Sequence, residues 1–461
     1  MSAVPKFMTL DDCKALAERI MGMASGGGHT RVSIESSWIG NTRWARNRVI
    51  SGGDILNHTV TISRGILERY AFGTTNRLDD ESLRQAIRRA ETLVPYLGAA
   101  PEDLTGRIEN QPYVKPNLWN EGTLNLEAAA RHDAVVPVVE AAQAAGFLSA
   151  GYLQVAAYGR AVIDDRALVR YYPHTLAEYS LTVRNATSTG SGWAGVDQTE
   201  WSRIQPDVLG ARAIAKCQAS ADPVAIEPGR YVVILEPQAV ADLMNEAMDV
   251  MKMGGRVGNE GGPGAYSAGA GPDGLGRTKI GQQMLDERIT ISSDPMDPDA
   301  GFVPLDFDAL EVDSVTATTW FEHGVLRALP YDRRYAVRSL HNNVPRPYVG
   351  SWRMSGGEST LDEIIASTKR ALLVTRFSGI HMIDMASVLC TGTTRDGLWL
   401  VENGKIVKPV KNLRFTESPL FAFNNVEMLG KPVRVYHPDG PIVAPPARVR
   451  DFSFTSLADA V

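Results

Sequence analysis

The segment that decides the fold of this chain reads Glu227-Pro-Gly-Arg-Tyr-Val-Val-Ile-Leu-Glu-Pro-Gln-Ala-Val-Ala-Asp-Leu-Met244 and continues directly into Asn245-Glu246-Ala247-Met248-Asp249-Val250. A second segment, Thr391-Gly-Thr-Thr-Arg-Asp-Gly-Leu-Trp-Leu-Val-Glu-Asn-Gly-Lys-Ile-Val-Lys-Pro-Val410, lies far downstream. Its Asn403-Gly404 pair stands between two apolar runs, which predicts a tight β-hairpin. The second half of the chain therefore carries two long motifs in a fixed order.

Both segments resemble the TldD/PmbA family of zinc-peptidase subunits. In the catalytic branch of that family, a strand that ends in an acid-proline pair precedes a helix with the motif His-Glu-x-x-x-His. A Cys near the C-terminus completes the metal site. The resemblance covers most of the chain and implies an α+β, strand-rich fold of two domains. The N-terminal domain would be an antiparallel sheet with helices, and the C-terminal domain would be mostly β.

The positions that bind metal in the family lack the family's ligands in this chain. The two His positions fall on Asn245 and Val250, and the Glu position falls on Glu246. The family Cys corresponds to Tyr436 or His437, neither of which has a thiol. A catalytic zinc ion usually takes three nitrogen, sulfur or carboxylate ligands from the protein. We therefore predict no catalytic residue and no metal site in this degenerate motif, and we interpret Glu246 as a relic, a surface carboxylate or an ion-pair partner.

The eight histidines do not form a recognisable metal motif. The closest two are eighteen residues apart, so no pair has the spacing of metal ligands along one element. A zinc site assembled from distant histidines stays open, because ligands can converge in space.

Composition excludes several classes of function. The net charge is −6 and the isoelectric point is near 5.8, with acids and bases interspersed. This is not the basic footprint of a nucleic-acid-binding protein. The chain has no run of about eighteen apolar residues that would span a membrane. Cys13, Cys217 and Cys390 are few and far apart, which fits a reducing compartment. We expect a soluble, cytoplasmic protein that binds neither nucleic acid nor membrane.

Residues 1–220 are predicted to form the N-terminal α+β domain. Thr9 is predicted to cap a helix over residues 10–23. Three alternating segments, which begin at Arg31, Thr42 and Asn57, predict an antiparallel meander. Helices over 81–94, 126–145 and 206–220 and strands over 148–187 complete the domain, and Pro137 is predicted to kink or split its helix.

Residues 221–229 are predicted to be a linker and residues 230–461 the C-terminal domain. Thr360-Leu-Asp-Glu363 predicts a capped helix from Leu361 to Leu373. The stretch Gly254–Gly276 contains ten glycines without an apolar period, which predicts a long mobile loop. Such a loop could be a lid, a flap against a partner or a plain solvent loop.

An arginine-rich run supplies the candidate substrate-binding residues. Arg333 and Arg334, with Arg346 further along, could recognise a carboxylate or the backbone carbonyls of a peptide. The same residues could equally form surface ion pairs. Both interpretations stay open.

The resemblance also implies a function. In the family, zinc-bearing TldD-like subunits pair with non-catalytic TldE (PmbA) subunits, and the pair removes leader segments or degrades small unfolded peptides. The degenerate motif places this chain nearest the TldE branch. The chain would then be a subunit that has no zinc of its own and relies on the zinc of a TldD-like partner. A homodimer is an alternative that stays open. Two alternatives also stay open: an autonomous amide hydrolase for peptides or small amide-bearing metabolites, and a non-enzymatic interaction protein such as a gyrase modulator.

Overall fold

A computed structural model describes residues 6–25, 27–66, 69–97, 113–253, 264–270, 276–305, 315–331, 333–341, 344–348 and 350–458. Within these ranges none of the helices is long and apolar enough to cross a membrane. The α-helices of the described residues are α1 Leu10–Met23, α2 Asp80–Leu93, α3 Glu121–Leu124, α4 Ala128–Ala144, α5 Pro206–Ala219, α6 Pro237–Met253, α7 Arg333–Leu340, α8 Leu361–Ala366 and α9 Pro419–Asn424.

The strands of the same residues are β1 His29–Ala45, β2 Arg48–Ile66, β3 Arg69–Thr75, β4 Leu148–Asp164, β5 Val169–Arg184, β6 Ser191–Gln198, β7 Gly229–Leu235, β8 Ser267–Ala270, β9 Gly276–Thr278, β10 Ile291–Ser293, β11 Thr318–Glu322, β12 Val325–Leu326, β13 Trp352–Met354, β14 Arg370–Asp384, β15 Leu389–Glu402, β16 Lys405–Pro409, β17 Leu413–Glu417, β18 Val426–Leu429, β19 Val433–Val435, β20 Ile442–Ala444 and β21 Ala447–Leu457.

The first six strands form one antiparallel sheet in the order β3-β2-β1-β4-β5-β6. A two-residue turn at Arg46-Asn47 joins the long strands β1 and β2, and both turn residues have positive φ angles, 50° and 59°. This is the geometry of a tight hairpin turn. The prediction of a separate strand beginning at Thr42 is wrong, because that segment contains the turn.

Helices α1, α2, α4 and α5 cover one face of this sheet. Ile34 of β1 belongs to one apolar cluster with Leu83 of α2, and Val155 of β4 belongs to another with Ala213 of α5. Because side chains alternate between the two faces of a strand, the polar residues Tyr158 and Glu178 lie on the opposite face. That face is turned towards the second half of the chain.

The second half contains two further sheets and most of the core. Strands β7, β14, β15, β17 and β21 pair in a closed ring, to which β16 and β18 are added. The other sheet has the order β12-β11-β10-β13-β20-β19. The largest hydrophobic cluster combines most of α6 with residues from both sheets. The strand-rich α+β prediction is confirmed, whereas the predicted domain limits stay a prediction.

Helix α8 is shorter than the sequence predicts. The capping box is present, because the Thr360 side chain accepts a hydrogen bond from the Glu363 backbone and the Glu363 side chain accepts one from the Thr360 backbone. The helix ends at Ala366, so its predicted extension to Leu373 is wrong. Leu373 lies in β14, which pairs with both β7 and β15. Pairing with distant strands therefore outweighs the local helical signal.

Three other predictions concern the helix with Pro137, the hairpin at Asn403-Gly404 and the glycine-rich loop. Helix α4 runs through Pro137 as one helix and is not split there. The hairpin at Asn403-Gly404 is confirmed, with φ angles of 51° and 77°. The predicted mobile loop Gly254–Gly276 lies mostly outside the described residues, but its described part includes β8, which pairs with β9.

Buried polar contacts join the first sheet and α5 to the second half. The carboxylate of Asp396 accepts a hydrogen bond from the Ser191 hydroxyl at 2.9 Å and one from the Arg376 guanidinium at 2.7 Å. The indole of Trp399 donates to the carbonyl oxygen of Ala219 at 3.1 Å. These bonds fix the polar face of the first sheet against the second half, where the candidate site lies.

Close packing of α5 on β6 depends on Gly192. A Cβ at this position would lie 2.1 Å from the carbonyl oxygen of Ala213 and 2.6 Å from the amide nitrogen of Cys217. We expect Gly192→Ala to lower the free energy of unfolding by about 1–3 kcal/mol, because backbone must move to admit the methyl group. Urea unfolding would measure this change. Gly53→Ala is the control, since a Cβ there meets nothing within 4 Å; equal effects of the two changes would contradict the account.

Candidate functional site

A stripe of polar side chains runs along helix α6. Gln238, Asp242, Asn245 and Asp249 recur at intervals of three and four residues, so they share one face of the helix. The Gln238 amide donates to the Asp242 carboxylate at 2.8 Å, and the Asn245 amide donates to the Asp249 carboxylate at 3.1 Å. The stripe thus satisfies part of its own hydrogen-bonding capacity.

Asp242 is half-buried, like the other members of this stripe. Its carboxylate also accepts a hydrogen bond from the backbone N–H of Phe377 on β14 at 2.9 Å. Burial raises the pKa of Asp242 to about 6, although the hydrogen bonds from Gln238 and Phe377 and the charge of Arg376 act in the opposite direction. Asp242 therefore ties α6 to β14.

The two positions that correspond to the family's histidines point in different directions. Val250 is 1% exposed and belongs to the main hydrophobic cluster. Asn245 is half-buried and uses its amide to bind Asp249. An alkyl group in the core and an amide on the polar stripe cannot together hold a metal ion.

The structure brings Tyr436 and His437 against α6, where the resemblance places the third ligand position. The Gln238 side chain donates to the carbonyl oxygen of Tyr436 at 3.0 Å and accepts from its N–H at 3.2 Å. Burial lowers the pKa of His437, whereas the nearby carboxylates Asp439 and Asp249 raise it. Among the described residues, no group of three or more His, Cys, Asp or Glu side chains is placed to hold a metal ion. The donor set of α6 and residues 436–437 therefore does not fit a zinc ion.

Glu246 is half-buried beside the polar stripe. Burial and the neighbouring carboxylates Asp249 and Asp242 raise its pKa. Within the described ranges its carboxylate forms no ion pair. The interpretation of Glu246 as an ion-pair partner therefore receives no support from these contacts.

A cleft of about 290 Å³ lies between the polar face of the first sheet and the segment from Arg434 to Pro441. Residues 301–305 form a further wall. Charged and aromatic groups line it together with apolar ones, and the polar lining includes Tyr158, Arg160, His174, Glu178, Asp197 and His437. A concave site with a few convergent polar groups has the form of a small-molecule pocket.

A buried ion pair holds one wall of this cleft in place. The guanidinium of Arg434 on β19 binds the carboxylate of Asp197 on β6 and also donates to the carbonyl oxygen of Asp299 at 2.6 Å. The backbone N–H of His437 donates to the other carboxylate oxygen of Asp197 at 3.4 Å. Asp197 thus anchors the segment that carries Tyr436 and His437.

Glu178 lies next to this anchor on β5, opposite Asp197 on β6. The residue is only 9% exposed. Burial, reinforced by the negative charge of Asp197, raises the pKa of Glu178 to about 7. A carboxyl group with this pKa changes its protonation state close to neutral pH, which is a property of many functional sites.

Two of the predicted substrate-binding arginines, Arg333 and Arg346, are not among the residues that line the cleft. Arg333 begins helix α7 and is 2% exposed. Arg346 pairs with Tyr331 through the backbone, and its guanidinium lies 5.0 Å from the centre of the Tyr331 ring. The side chain of Arg334 lies outside the described residues. A role of these arginines in substrate binding stays a prediction.

Of the residues that line the cleft, only His437 stands out in the sequence as a candidate site residue. Tyr158 and Glu178 lie in segments whose alternation correctly predicts strands. That alternation separates two faces, but it does not tell which face a distant segment such as residues 434–441 covers. In the sequence, the cleft is indicated only by charged and aromatic residues at the strand positions that alternate with the apolar ones.

Fold and site together define a strand-rich α+β protein in which helix α6 packs into the main core of the second half and a cleft lies beside the first sheet. A sequence profile of the PmbA/TldA metallopeptidase C-terminal domain matches residues 228–456. The chain belongs to the TldD/PmbA family, as the two quoted segments predict.

Similar proteins agree with this assignment. The chain is 27% identical over 171 residues to a metalloprotease TldD homolog of Buchnera aphidicola and 24% identical over 163 residues to one of Haemophilus influenzae. These matches span 34% and 33% of this chain and the same shares of the relatives, so the similarity covers about a third of their length.

Solved structures share the fold along nearly the whole chain. A Thermotoga maritima protein described as a modulator of a DNA gyrase has a TM-score of 0.78 and 16% identity, covering 96% of this chain and 100% of its own. TldE from Thermococcus kodakarensis has a TM-score of 0.73 and 15% identity, covering 96% and 99%.

The environment of Glu178 predicts a dependence of stability on pH. Asp197 on β6, Tyr152 and Tyr158 on β4, and Tyr436 are the titratable groups that interact with it. The folded protein holds the Glu178 proton more tightly than the unfolded chain, so stability is lost as the pH rises from about 4.5 to about 7. Each tenfold change in proton affinity corresponds to about 1.4 kcal/mol. The pKa increase of Glu178 from 4.5 to about 7 therefore lowers the free energy of unfolding by about 3 kcal/mol.

Glu178→Gln removes this loss. Relative to the wild type, we expect the variant to gain free energy of unfolding progressively from about pH 4.5 to about pH 7. Urea unfolding at a series of pH values would measure the difference. Glu140→Gln, on an exposed position of α4, is the control and should leave the wild-type curve unchanged. Parallel curves for wild type and Glu178→Gln would contradict the assigned environment.

Proposed function

We propose that this chain is a TldE-like, non-catalytic subunit that pairs with a zinc-bearing TldD-like subunit to hydrolyse peptides or small amides. The observation that carries the proposal is Val250, whose alkyl side chain occupies a metal-ligand position of the family and is buried in the core. Asn245, at the other His position, binds Asp249. The metal chemistry would therefore come from the partner, and this chain would contribute shape and substrate contacts.

An open strand edge supports a protein partner. Strand β3 pairs with residues 60–66 of β2 and leaves residues 48–57 of β2 exposed. Four apolar side chains lie on this exposed stretch: Val49, Ile50, Ile55 and Leu56. Proteins seldom leave a long edge strand with apolar side chains uncovered, because it invites pairing with another chain. A partner subunit would cover this edge.

We also place the pair in the cytoplasm. Cys13, Cys217 and Cys390 are all buried and unbridged, which supports a reducing compartment. Burial raises the pKa of each thiol, so none of the three is activated as a nucleophile. This supports structural roles for the cysteines and a reaction that does not depend on them.

Co-expression with a TldD-like chain that carries an intact His-Glu-x-x-x-His motif tests the pairing. We expect a stable complex on size-exclusion chromatography and hydrolysis of a fluorogenic unstructured peptide by the complex, with none by this chain alone. Ile55→Lys on the exposed edge should reduce the yield of the complex at least tenfold, because a charge is buried there on pairing.

Ile406→Lys is the matched control, since Ile406 is similarly exposed but lies on β16. It should leave the complex intact. Peptide hydrolysis by this chain alone would contradict the proposal, and so would failure to form any complex with the zinc-bearing chain.

A further inference from the structure

We infer that the cleft between strands β4–β6 and residues 434–441 is a binding site for a small organic ligand with a protonated amine, and that Glu178 is the counter-ion of that amine. This site belongs to the isolated chain. It goes beyond the pairing proposed above and does not depend on it.

The first argument is the carboxylate itself. Glu178 lines the cleft and is only 9% exposed. Within the described part of the chain, its carboxylate accepts no hydrogen bond and forms no ion pair. Buried carboxylates are normally paired, because an isolated charge loses its hydration without compensation. A carboxylate left without a partner at the wall of a cavity indicates that the partner is a ligand.

The second argument is that the nearby basic side chains are not available to Glu178. Arg434 is committed to Asp197 and to the Asp299 carbonyl. Arg160 pairs with Glu35 on the neighbouring strand β1 at 2.9 Å. Both arginines that line the cleft are therefore already in ion pairs with other carboxylates.

The histidines of the cleft do not supply the charge either. Burial and the positive charge of Arg160 lower the pKa of His174 to about 3. Burial also lowers the pKa of His437. Both imidazoles are therefore neutral at pH 7 and cannot serve as cationic partners of a carboxylate.

The third argument is the aromatic and apolar surface around Glu178. The ring of Tyr158 lines the cleft and stacks on His174 with ring centroids 4.6 Å apart. Leu176 and Phe302 add apolar area on opposite walls. Aromatic faces attract organic cations, and apolar walls favour a ligand with a hydrocarbon body. These features select an amine with an apolar substituent over a hydrated inorganic cation.

The size of the cleft limits the ligand. A volume of about 290 Å³ lies at the lower end of the range for small-molecule pockets. Among the residues that the structure describes, no cluster of three metal-binding side chains is present that would make the cleft a metal site. The ligand class is therefore a small amphipathic amine, such as an amino-acid amide or the N-terminal residue of a peptide.

Isothermal titration calorimetry of the purified full-length chain tests the inference with two probes, phenylalaninamide and N-acetylphenylalaninamide. The second probe has the same aromatic body without the positive charge. We expect wild-type protein at neutral pH to bind phenylalaninamide at least about tenfold more tightly than the acetylated probe. Glu178→Gln should reduce the affinity for phenylalaninamide at least about tenfold and leave that for the acetylated probe unchanged.

Two controls make the result specific. Glu140→Gln changes an exposed carboxylate on the far side of the first sheet and should bind as the wild type does. Glu178→Gln keeps the shape of the side chain and removes a buried charge, so circular dichroism should show a folded protein. Equal binding of both probes, undiminished binding by Glu178→Gln, no binding of phenylalaninamide, or Glu178-dependent binding of Mn²⁺ in its place would each overturn the inference.

Discussion

Arg434 reaches from β19 to the carboxylate of Asp197 on β6, and this buried ion pair joins two parts of the chain that are 237 residues apart. The backbone of His437 adds a further hydrogen bond to the same carboxylate. Loss of either charged partner would leave an uncompensated buried charge, at a cost of roughly 3–5 kcal/mol. The pair positions the wall of the cleft, places a second negative charge beside Glu178, and holds Tyr436 next to helix α6.

Helix α6 packs into the hydrophobic core at Val250, the position that the resemblance aligns with a metal ligand. Val250 packs with the surrounding apolar side chains, so its position contributes to folding through burial. The polar side of the same helix is occupied with internal contacts, since Asn245 binds Asp249 and Asp242 binds the backbone of Phe377. The helix thus serves as a packing element, whereas Glu178 lines the cleft beside the first sheet.

Local signals in the sequence were sufficient where one short segment determines the structure. The Asn403-Gly404 turn and the Thr360 cap follow from residues within a few positions of each other. The strand at Leu373 was not predicted, because its pairing with distant strands determines it. The turn at Arg46 was not predicted either, because arginine is not typical of a turn position with a positive φ angle. The cleft could not be predicted, since residues 178, 197 and 434 meet only in the folded chain.

The chain belongs to a metallopeptidase-related family, and the central proposal is that it does not carry a zinc site of its own. Its most direct test is inductively coupled plasma mass spectrometry of the isolated full-length chain, after incubation with zinc and dialysis against a weak chelator. The account predicts far less than one zinc ion per chain. Stoichiometric zinc that is lost when Asp249 or His437 is changed to alanine would contradict it, because these residues would then be metal ligands beside α6.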